Sequence, residues 1–457
     1  MSSRALIAMV LLTIGCSWTM RRPFVGVCMV IALFHLNLRV LGAGLEDIRF
    51  QFVVTIVLIL SYFVNYEEVN REPAPLQPPM RWMFWFLAIV FATSAWAVAS
   101  PALAFDSAIE FSKIVLFVWL MTKIVRTERQ VRILLYVVFA GMWYTSFMAQ
   151  WGVEWDWIDE VEVGIATGGT GAHLVLFTPL LILLALYGSW RERLAMMFVL
   201  PFVLNFLPNT PSGSRATLVM LASSLVFLIL LAPGSMRIKA LPPILAATAF
   251  FVFYLTPPAY WEDMATILHP QEESSARSRF IINEASYLIA FQNPLGIGYN
   301  NYSLVSMKYI PEENLTEFGT RDAHNSYLKV LTEFGFMGLG VWIGLFVSTW
   351  RHFRRIRKTI RSGETPTRLQ IYALGLELGL LGIVAGIGTH NYNDLDTLYW
   401  FAGLSAILTT LHAREGSAPG DKEENTAPDR PVVSVHKNAM PEITVPGMSS
   451  RKPTVVS

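Results

Sequence analysis

The sequence alternates apolar runs of membrane-spanning length with short charged connectors, and this pattern constrains the fold more than any other feature. An α-helix needs about 20 apolar residues to cross the hydrocarbon core of a bilayer. Of the 457 residues, 53% are hydrophobic and only 15% are charged, whereas soluble domains carry about 25% charged residues. The pattern excludes a soluble enzyme and a disordered protein, and it predicts an all-α polytopic membrane protein.

About 12 to 13 runs are apolar enough to span a membrane. The predicted spans are 4–20, 23–39, 50–65, 82–100, 106–123, 131–151, 172–189, 194–207, 217–234, 240–256, 335–350, 371–389 and 397–412. They predict an N-terminal bundle of about ten spans over 1–256, a large external loop over 257–334 and C-terminal helices over 335–412. The remaining segment, 413–457, lacks apolar periodicity and has the polar composition typical of disorder.

The placement of Lys and Arg predicts the orientation. Nearly all basic residues of the short connectors fall on every second connector, as in the group from Lys123 to Arg132. Because short basic connectors stay in the cytoplasm, we expect these connectors and the tail to be cytoplasmic. The N-terminus and the loop 257–334 then face the periplasm of a bacterial inner membrane. A formal net charge of +1 gives no basic face for nucleic acid, so membrane lipid is the expected surrounding and no nucleic-acid partner is expected.

The external loop is too long and too polar to be a simple connector, and such loops usually carry function. Ser274 and Ser275 can cap a helix that runs to about Phe291. A glycine-rich turn follows over 293–300, and a second helix is predicted from Asn325 to Phe334, with Gly335 as its end. The loop is therefore predicted to be a small, half-helical cap on the membrane surface.

Basic residues and one histidine stand at the predicted helix ends of the outer side. Arg277 and Arg279 lie in the first turn of the cap helix, where free backbone N–H groups also favour an anion. Arg215 lies in a short outer connector. Guanidinium groups bind phosphate oxygens bidentately and stay charged, which suits a diphosphate. His324 precedes the second helix, whose dipole should keep the imidazole neutral, as a general base requires, and Asp322 is placed to orient it.

These residues lie in motifs that resemble the O-antigen ligase and O-antigen polymerase superfamily. The resemblance covers roughly 205–345, and the early run Arg21–Val27 is similar to a branch of O-glycosylation ligases associated with exosortase systems. The motifs are Pro-Ser-Gly-Ser-Arg215-Ala, Ser-Arg279-Phe, Asn293-Pro-Leu-Gly296-Ile-Gly298-Tyr-Asn-Asn, Asp-Ala-His324-Asn325-Ser-Tyr327-Leu328 and Glu333-Phe-Gly335-Phe-Met-Gly338-Leu. One departure is Asn283, where relatives often carry Trp.

The resemblance implies a membrane fold of the C-type glycosyltransferase kind, with no cofactor and no metal. The donor would be a glycan on undecaprenyl diphosphate, and the acceptor a glycolipid, a glycan or a protein. Arg215 and Arg279 match the arginines that hold the donor diphosphate, and His324 matches the histidine that activates the acceptor hydroxyl. The remaining candidate residues are Arg277 for the diphosphate and Arg321, Asp322, Asn325 and Tyr327 in support.

Several alternatives remain open from the residues themselves. The protein can be a ligase, a polymerase that joins lipid-linked repeat units, or, in a different class, a transporter of a lipid-linked glycan. Glu110 and Lys113 can pair within their span or serve function, and Glu377 is alone in its span. His390 is a candidate for a second site, and Asp394 and Asp396 form a weak Asp-x-Asp pattern that we do not expect to bind metal.

Overall fold

The computed structural model is mostly helical, and no strand occurs among the described residues. The described residues are 3–36, 49–72, 75–150, 168–209, 215–265, 274–316, 319–361 and 363–415. Residues up to Glu415 form a single unit. The predicted disordered tail and the tryptophan-rich connector 151–167 lie outside the described residues.

Each predicted span overlaps a helix of the described chain, although the predicted span 82–100 extends beyond the end of its helix at Ser94. The first helices are α1 Ser3–Arg21, α2 Pro23–His35, α3 Phe50–Val64, α4 Tyr66–Asn70, α5 Pro78–Ser94, α6 Pro101–Ile124, α7 Glu128–Gln150, α8 Gly168–Tyr187, α9 Trp190–Asn209, α10 Arg215–Leu231 and α11 Gly234–Phe250. A π-helical turn extends α11 over Phe251–Leu255. The remaining helices are α12 Pro258–Ala265, α13 Ser274–Gln292, α14 Tyr302–Ser306, α15 Ser326–Arg357, α16 Arg368–Gly386 and α17 Asp396–Glu415, with short 3-10 turns at Glu312–Asn314 and Ile387–Thr389.

Five helical segments of the described chain are long and apolar enough to cross a membrane by themselves. They are Glu128–Ala149, Thr170–Tyr187, Gly234–Leu255, Ser326–Arg357 and Arg368–Thr389. Shorter apolar helices accompany them, including Pro23–His35 and Phe50–Val64. The chain is thus an all-α polytopic membrane protein.

Helix α16 is almost fully buried in the bundle, and four glycines recur along one of its faces. Gly375, Gly379, Gly382 and Gly386 recur at helical spacing, and a Cβ atom on any of them would collide with a neighbouring helix. Gly375 and Gly379 face Leu180 and Leu176 of α8, whereas Gly382 and Gly386 face Met220 of α10. Small residues allow membrane helices to approach closely and gain van der Waals contact. The glycine face therefore fixes α16 between α8 and α10.

The glycine-rich turn after α13 docks onto a kink in α15. Gly335 interrupts the helix at φ 71°, and Gly296 in the turn has φ 91°. Ile297 and Gly298 donate backbone hydrogen bonds to the carbonyls of Thr332 (2.9 Å) and Glu333 (3.0 Å). A Cβ on Gly335 would lie 2.3 Å from the Pro294 oxygen, so only glycine permits this contact. The kink divides α15 into a short segment that begins at Ser326 and a longer apolar segment that follows Gly335.

Candidate functional site

His324 lies in a short loop that ends at the start of α15. Asn325 caps this helix, because its side-chain oxygen accepts hydrogen bonds from the backbone N–H groups of Tyr327 (3.0 Å) and Leu328 (3.2 Å). The cap therefore belongs to Asn325, and His324 stands one residue before it in the left-handed region, at φ 47°. A non-glycine residue is uncommon and strained in this region, and it keeps this conformation only where the surrounding structure holds it.

The loop is held against the connector between α16 and α17, which is predicted to lie on the outer side. The Ser326 hydroxyl donates to the His390 carbonyl at 2.7 Å, and the Ser326 backbone N–H donates to the same oxygen at 3.1 Å. The Tyr392 N–H donates to the Ser326 hydroxyl at 2.8 Å, and the Asn325 N–H donates to the Asn391 side chain at 3.1 Å. Two segments that lie far apart in the sequence thus form one hydrogen-bonded unit around His324.

The surroundings of His324 lower the pKa of its imidazole. Burial is the largest cause, and the cationic groups of Arg321, Arg279 and Lys329 lower it further, whereas the Asp322 carboxylate works in the opposite direction. The sequence argument placed the cause in the helix dipole. In the structure, burial and nearby cations account for the shift, and the imidazole is neutral at neutral pH, as a general base requires.

A second imidazole, that of His390, shares these surroundings. Burial, followed by the charge of Arg279 and the proximity of His324, lowers the pKa of His390 to about 4. The ring stacks on Tyr392, with centroids 5.5 Å apart. Arg279 therefore lies close to both imidazoles. On the other side, Arg321 donates from a guanidinium nitrogen to the Ser278 hydroxyl at 2.9 Å, which ties the His324 loop to the first turns of α13.

Asp322 contacts a buried lysine. One Asp322 oxygen accepts from the Ala323 N–H at 2.8 Å, and the other lies 3.3 Å from the Lys329 ammonium. Burial alone would raise the pKa of Asp322, but the Lys329 charge and the Ala323 N–H outweigh it, so the pKa is lowered and the group is a carboxylate. Lys329 also lies 3.5 Å from an Asp394 oxygen.

Asp394 is held on its other oxygen by two donors. Tyr299 donates its hydroxyl at 2.5 Å and Asn393 its side-chain amide at 2.8 Å. Burial, followed by the Asp394 charge, raises the pKa of Tyr299 well above its ordinary value. Asp394, the first carboxylate of the Asp-x-Asp pattern, thus takes part in a hydrogen-bonded ion pair. The pair joins three segments, which are the turn 293–301, α15 and the connector between α16 and α17.

The structure gathers some of the predicted site residues and assigns others to packing. Arg279, Arg321, Asp322 and His324 come together. Tyr327 donates its hydroxyl to the Val384 carbonyl at 2.9 Å, which joins α15 to α16. Arg215 begins α10 and Arg277 lies in the first turn of α13, but their side chains lie outside the described part of the chain. Their placement at the diphosphate stays a prediction.

The charged residues predicted within spans, Glu377 and the pair Glu110 and Lys113, form ion pairs that do not include His324. Glu377 accepts hydrogen bonds from two guanidinium nitrogens of Arg357, at 2.5 and 3.2 Å, near the predicted cytoplasmic end of α15. Lys113 and Glu110 form an exposed pair within α6, and the ammonium of Lys113 lies 5.6 Å from the ring centroid of Phe52. The Glu377 carboxylate therefore has a partner that explains it structurally.

Sequence reasoning missed Lys329, noted Asp394 only as part of a weak Asp-x-Asp pattern, and gave His390 only as a candidate for a second site. The available signal was the run from His390 to Asp394, in which polar residues fill a short outer connector between two apolar spans. The roles of these side chains could not be predicted, because they depend on partners more than 60 residues away in the sequence. Asp394, for example, lies 65 residues after its partner Lys329.

Cations and neutral imidazoles at one end of a helical membrane bundle define a site suited to an anionic group carried at the bilayer surface. Guanidinium groups can hold phosphate oxygens, and a neutral imidazole can accept a proton from a hydroxyl. The class indicated by fold and site is a polytopic membrane protein with a cationic site, suited to an anion, at one end of its helices.

Comparison with known families narrows this class. Residues 210–343 match the model of the family described as O-Antigen ligase. The match confirms the resemblance to the O-antigen ligase superfamily over the part of the chain that carries Arg279 and His324. It supports a function of the ligase or polymerase type in cell-surface polysaccharide synthesis. No curated protein matches the chain at a significant level.

Proposed function

We propose that this protein transfers a glycan from undecaprenyl diphosphate to an acceptor hydroxyl at the periplasmic face of the bacterial inner membrane, as an O-antigen ligase does. The observation that carries the proposal is that the charges of Arg279 and Arg321 both act on the buried imidazole of His324 and lower its pKa. This set supplies a base beside an anion site, which displacement of a lipid diphosphate requires.

The proposed reaction is a single displacement. The acceptor hydroxyl loses its proton to His324 as its oxygen forms a bond to the first sugar carbon of the donor. The bond from this carbon to the diphosphate oxygen breaks, and undecaprenyl diphosphate leaves with the electron pair. Arg279, together with Arg215 and Arg277, neutralises the departing anion, and the sugar carbon is inverted. The residues named supply this chemistry without a metal or a cofactor.

The test is transfer by the purified protein in liposomes that contain a lipid-linked glycan and an acceptor glycolipid. The variant is His324→Asn, since asparagine tolerates the left-handed backbone of this position but does not act as a base. We expect transfer to fall by about 10²- to 10⁴-fold. The matched control is His412→Asn, which changes a histidine near the other end of α17, and it should leave transfer intact.

The products separate the remaining functions. Attachment of a whole glycan to the acceptor supports the ligase, whereas growth of the lipid-linked glycan by repeat units supports the polymerase. Undiminished transfer by His324→Asn would remove the assignment of the base. Movement of the lipid-linked glycan across the bilayer without any transfer by the wild type would show a transporter instead.

A further inference from the structure

Lys329 is a buried cation between two carboxylates that belong to different parts of the chain. Its side chain is 7% exposed, and those of Asp322 and Asp394 are 10% and 13% exposed. The ammonium lies 3.3 Å from an oxygen of Asp322 and 3.5 Å from an oxygen of Asp394. Taking such charges out of water is costly and often not repaid in stability, so this cluster points to a role in fixing a local geometry.

Each carboxylate leads to a different side of the proposed site. Asp322 lies two residues before His324, in the same loop. Asp394 belongs to the outer connector that also supplies the His390 carbonyl to Ser326, and it is itself fixed by Tyr299 and Asn393. The ammonium therefore joins the loop of His324 to a rigid partner on the opposite segment.

The backbone of His324 needs such an anchor. Its φ of 47° belongs to a conformation that persists only where the surrounding structure determines it. The Asn325 cap and the hydrogen bonds of Ser326 fix the residues that follow His324. On the preceding side, Asp322 is fixed by Lys329, and Arg321 by Ser278. Loss of either anchor would release one end of the loop.

We propose that Lys329 is a positioning residue of this site, which holds the imidazole of His324 in place by bridging Asp322 and Asp394. The proposal rests on the function proposed above, in which His324 accepts the proton of the acceptor hydroxyl. Lys329 itself need not touch the substrate, since it acts through Asp322.

The pH dependence of His324 reports on this bridge. The charged and titratable groups that affect the imidazole are Asp322, Arg321, Arg279 and Lys329, and His390 lies beside it. Removal of the Lys329 charge takes away a cation and frees Asp322 to attract the imidazolium, so the pKa of His324 should rise. Lys329 also interacts with the buried Glu333 carboxyl of the same helix. Removal of the Asp394 charge strengthens the hold of Lys329 on Asp322, which weakens the pull of Asp322 on the imidazolium, so the pKa of His324 should fall.

The experiment compares Lys329→Met with Asp394→Asn in the full-length protein in lipid nanodiscs. The imidazole of His324 is titrated by NMR with ring-labelled histidine and assigned through His324→Asn. We expect shifts of opposite sign, of about 0.5 to 1 pH unit each, and the acid limb of the transfer rate should move with them. We also expect kcat to fall about tenfold in each variant, with the donor KM within about twofold of the wild type.

The double variant Lys329→Met/Asp394→Asn separates positioning from charge balance. It restores the net charge of the cluster but not the bridge, so kcat should stay low. Recovery of the wild-type kcat in the double variant would overturn the proposal, and so would shifts of equal sign in the two single variants. Lys308→Met, which removes an exposed lysine of the loop, is the control and should behave as the wild type does.

Failure of this proposal can be told from failure of the proposed function. If the wild type performs no transfer, the function is wrong, whereas the titration of His324 still measures the bridge. If the wild type transfers and both variants keep its rate and its titration, only the role of Lys329 is wrong. Should Lys329→Met not fold, Asp394→Asn decides alone through the sign of its shift, because it replaces an oxygen by a nitrogen of similar size.

Discussion

At the scale of single residues, the chemistry of the site depends on which charges lie next to the imidazole of His324. Arg279 is close to both His324 and His390, and its charge lowers the pKa of each. One guanidinium thus serves two purposes in the proposed reaction. It offers bidentate hydrogen bonds to a diphosphate oxygen pair, and it helps to keep the neighbouring imidazole unprotonated.

The variant Arg279→Gln tests both purposes. Since the pKa of His324 is lowered, the wild-type rate should fall only as the pH drops below the ordinary imidazole value of about 6.5. Loss of the Arg279 charge should raise this pKa, so the acid limb should move to higher pH. The donor KM should rise by about tenfold or more, because a charged hydrogen bond is worth about 1.5 to 3 kcal/mol.

The two effects are measured in one set of transfer rates, taken from pH 5 to 8 at several donor concentrations. Arg279→Lys should restore the position of the acid limb, because it keeps the charge, but only part of the donor affinity, because it lacks the planar fork. An unchanged donor KM in Arg279→Gln would contradict the assignment of this arginine to the diphosphate.

At the scale of elements, two glycines decide how the loop sits on the bundle. The turn that carries Gly296 contacts the kink of α15 at Gly335, and Phe336 donates its backbone N–H to the Pro294 carbonyl at 3.2 Å. The kink therefore connects the candidate site to the longest helix of the described chain. The motif residues around Gly296 and Gly335 therefore have a structural role, because they allow two segments of backbone to come into contact.

We expect Gly335→Ala to destabilise the protein by about 1 to 3 kcal/mol or more, because alanine is strained at φ 71° and its Cβ would collide with the Pro294 oxygen. Thermal unfolding in detergent measures the loss. The control is Gly340→Ala in the same helix, where a Cβ meets no atom within 4 Å and should be neutral or slightly stabilising. Equal melting temperatures for the two variants would contradict the claim that the kink of α15 requires glycine at position 335.

At the scale of the whole molecule, close packing on α16 and the buried ion pair of Glu377 with Arg357 join several helices. Glu377 of α16 is fully buried and binds Arg357 at the end of α15, which also donates to the Leu231 carbonyl of α10 at 3.2 Å. Three helices thus meet at a single guanidinium. The pair lies at the end of α15 remote from Ser326, so its contribution should be to stability and not to transfer.

Glu377→Ala leaves the Arg357 charge without its carboxylate, and breaking a buried pair costs about 3 to 5 kcal/mol. We therefore expect a large loss of thermal stability, with the transfer rate of the folded fraction close to that of the wild type. Glu364→Ala is the control, because its pair with Arg361 is exposed on both sides and such pairs contribute about 0 to 1 kcal/mol. A catalytic defect in folded Glu377→Ala would instead place this residue in the function.

The sequence by itself determined the fold class and the positions of most helices, and it named several residues of the candidate site. Apolar length, proline and the capping residue at Asn325 act within a few residues, and a bilayer leaves the backbone little choice except the helix. Tertiary structure decided what surrounds His324. The bridge from Asp322 through Lys329 to Asp394, and the approach of His390 to Arg279, depend on distances between segments that no local pattern encodes. The lowered pKa of His324 is also decided by the tertiary structure, because burial and cations distant in the sequence act through space and not along the chain.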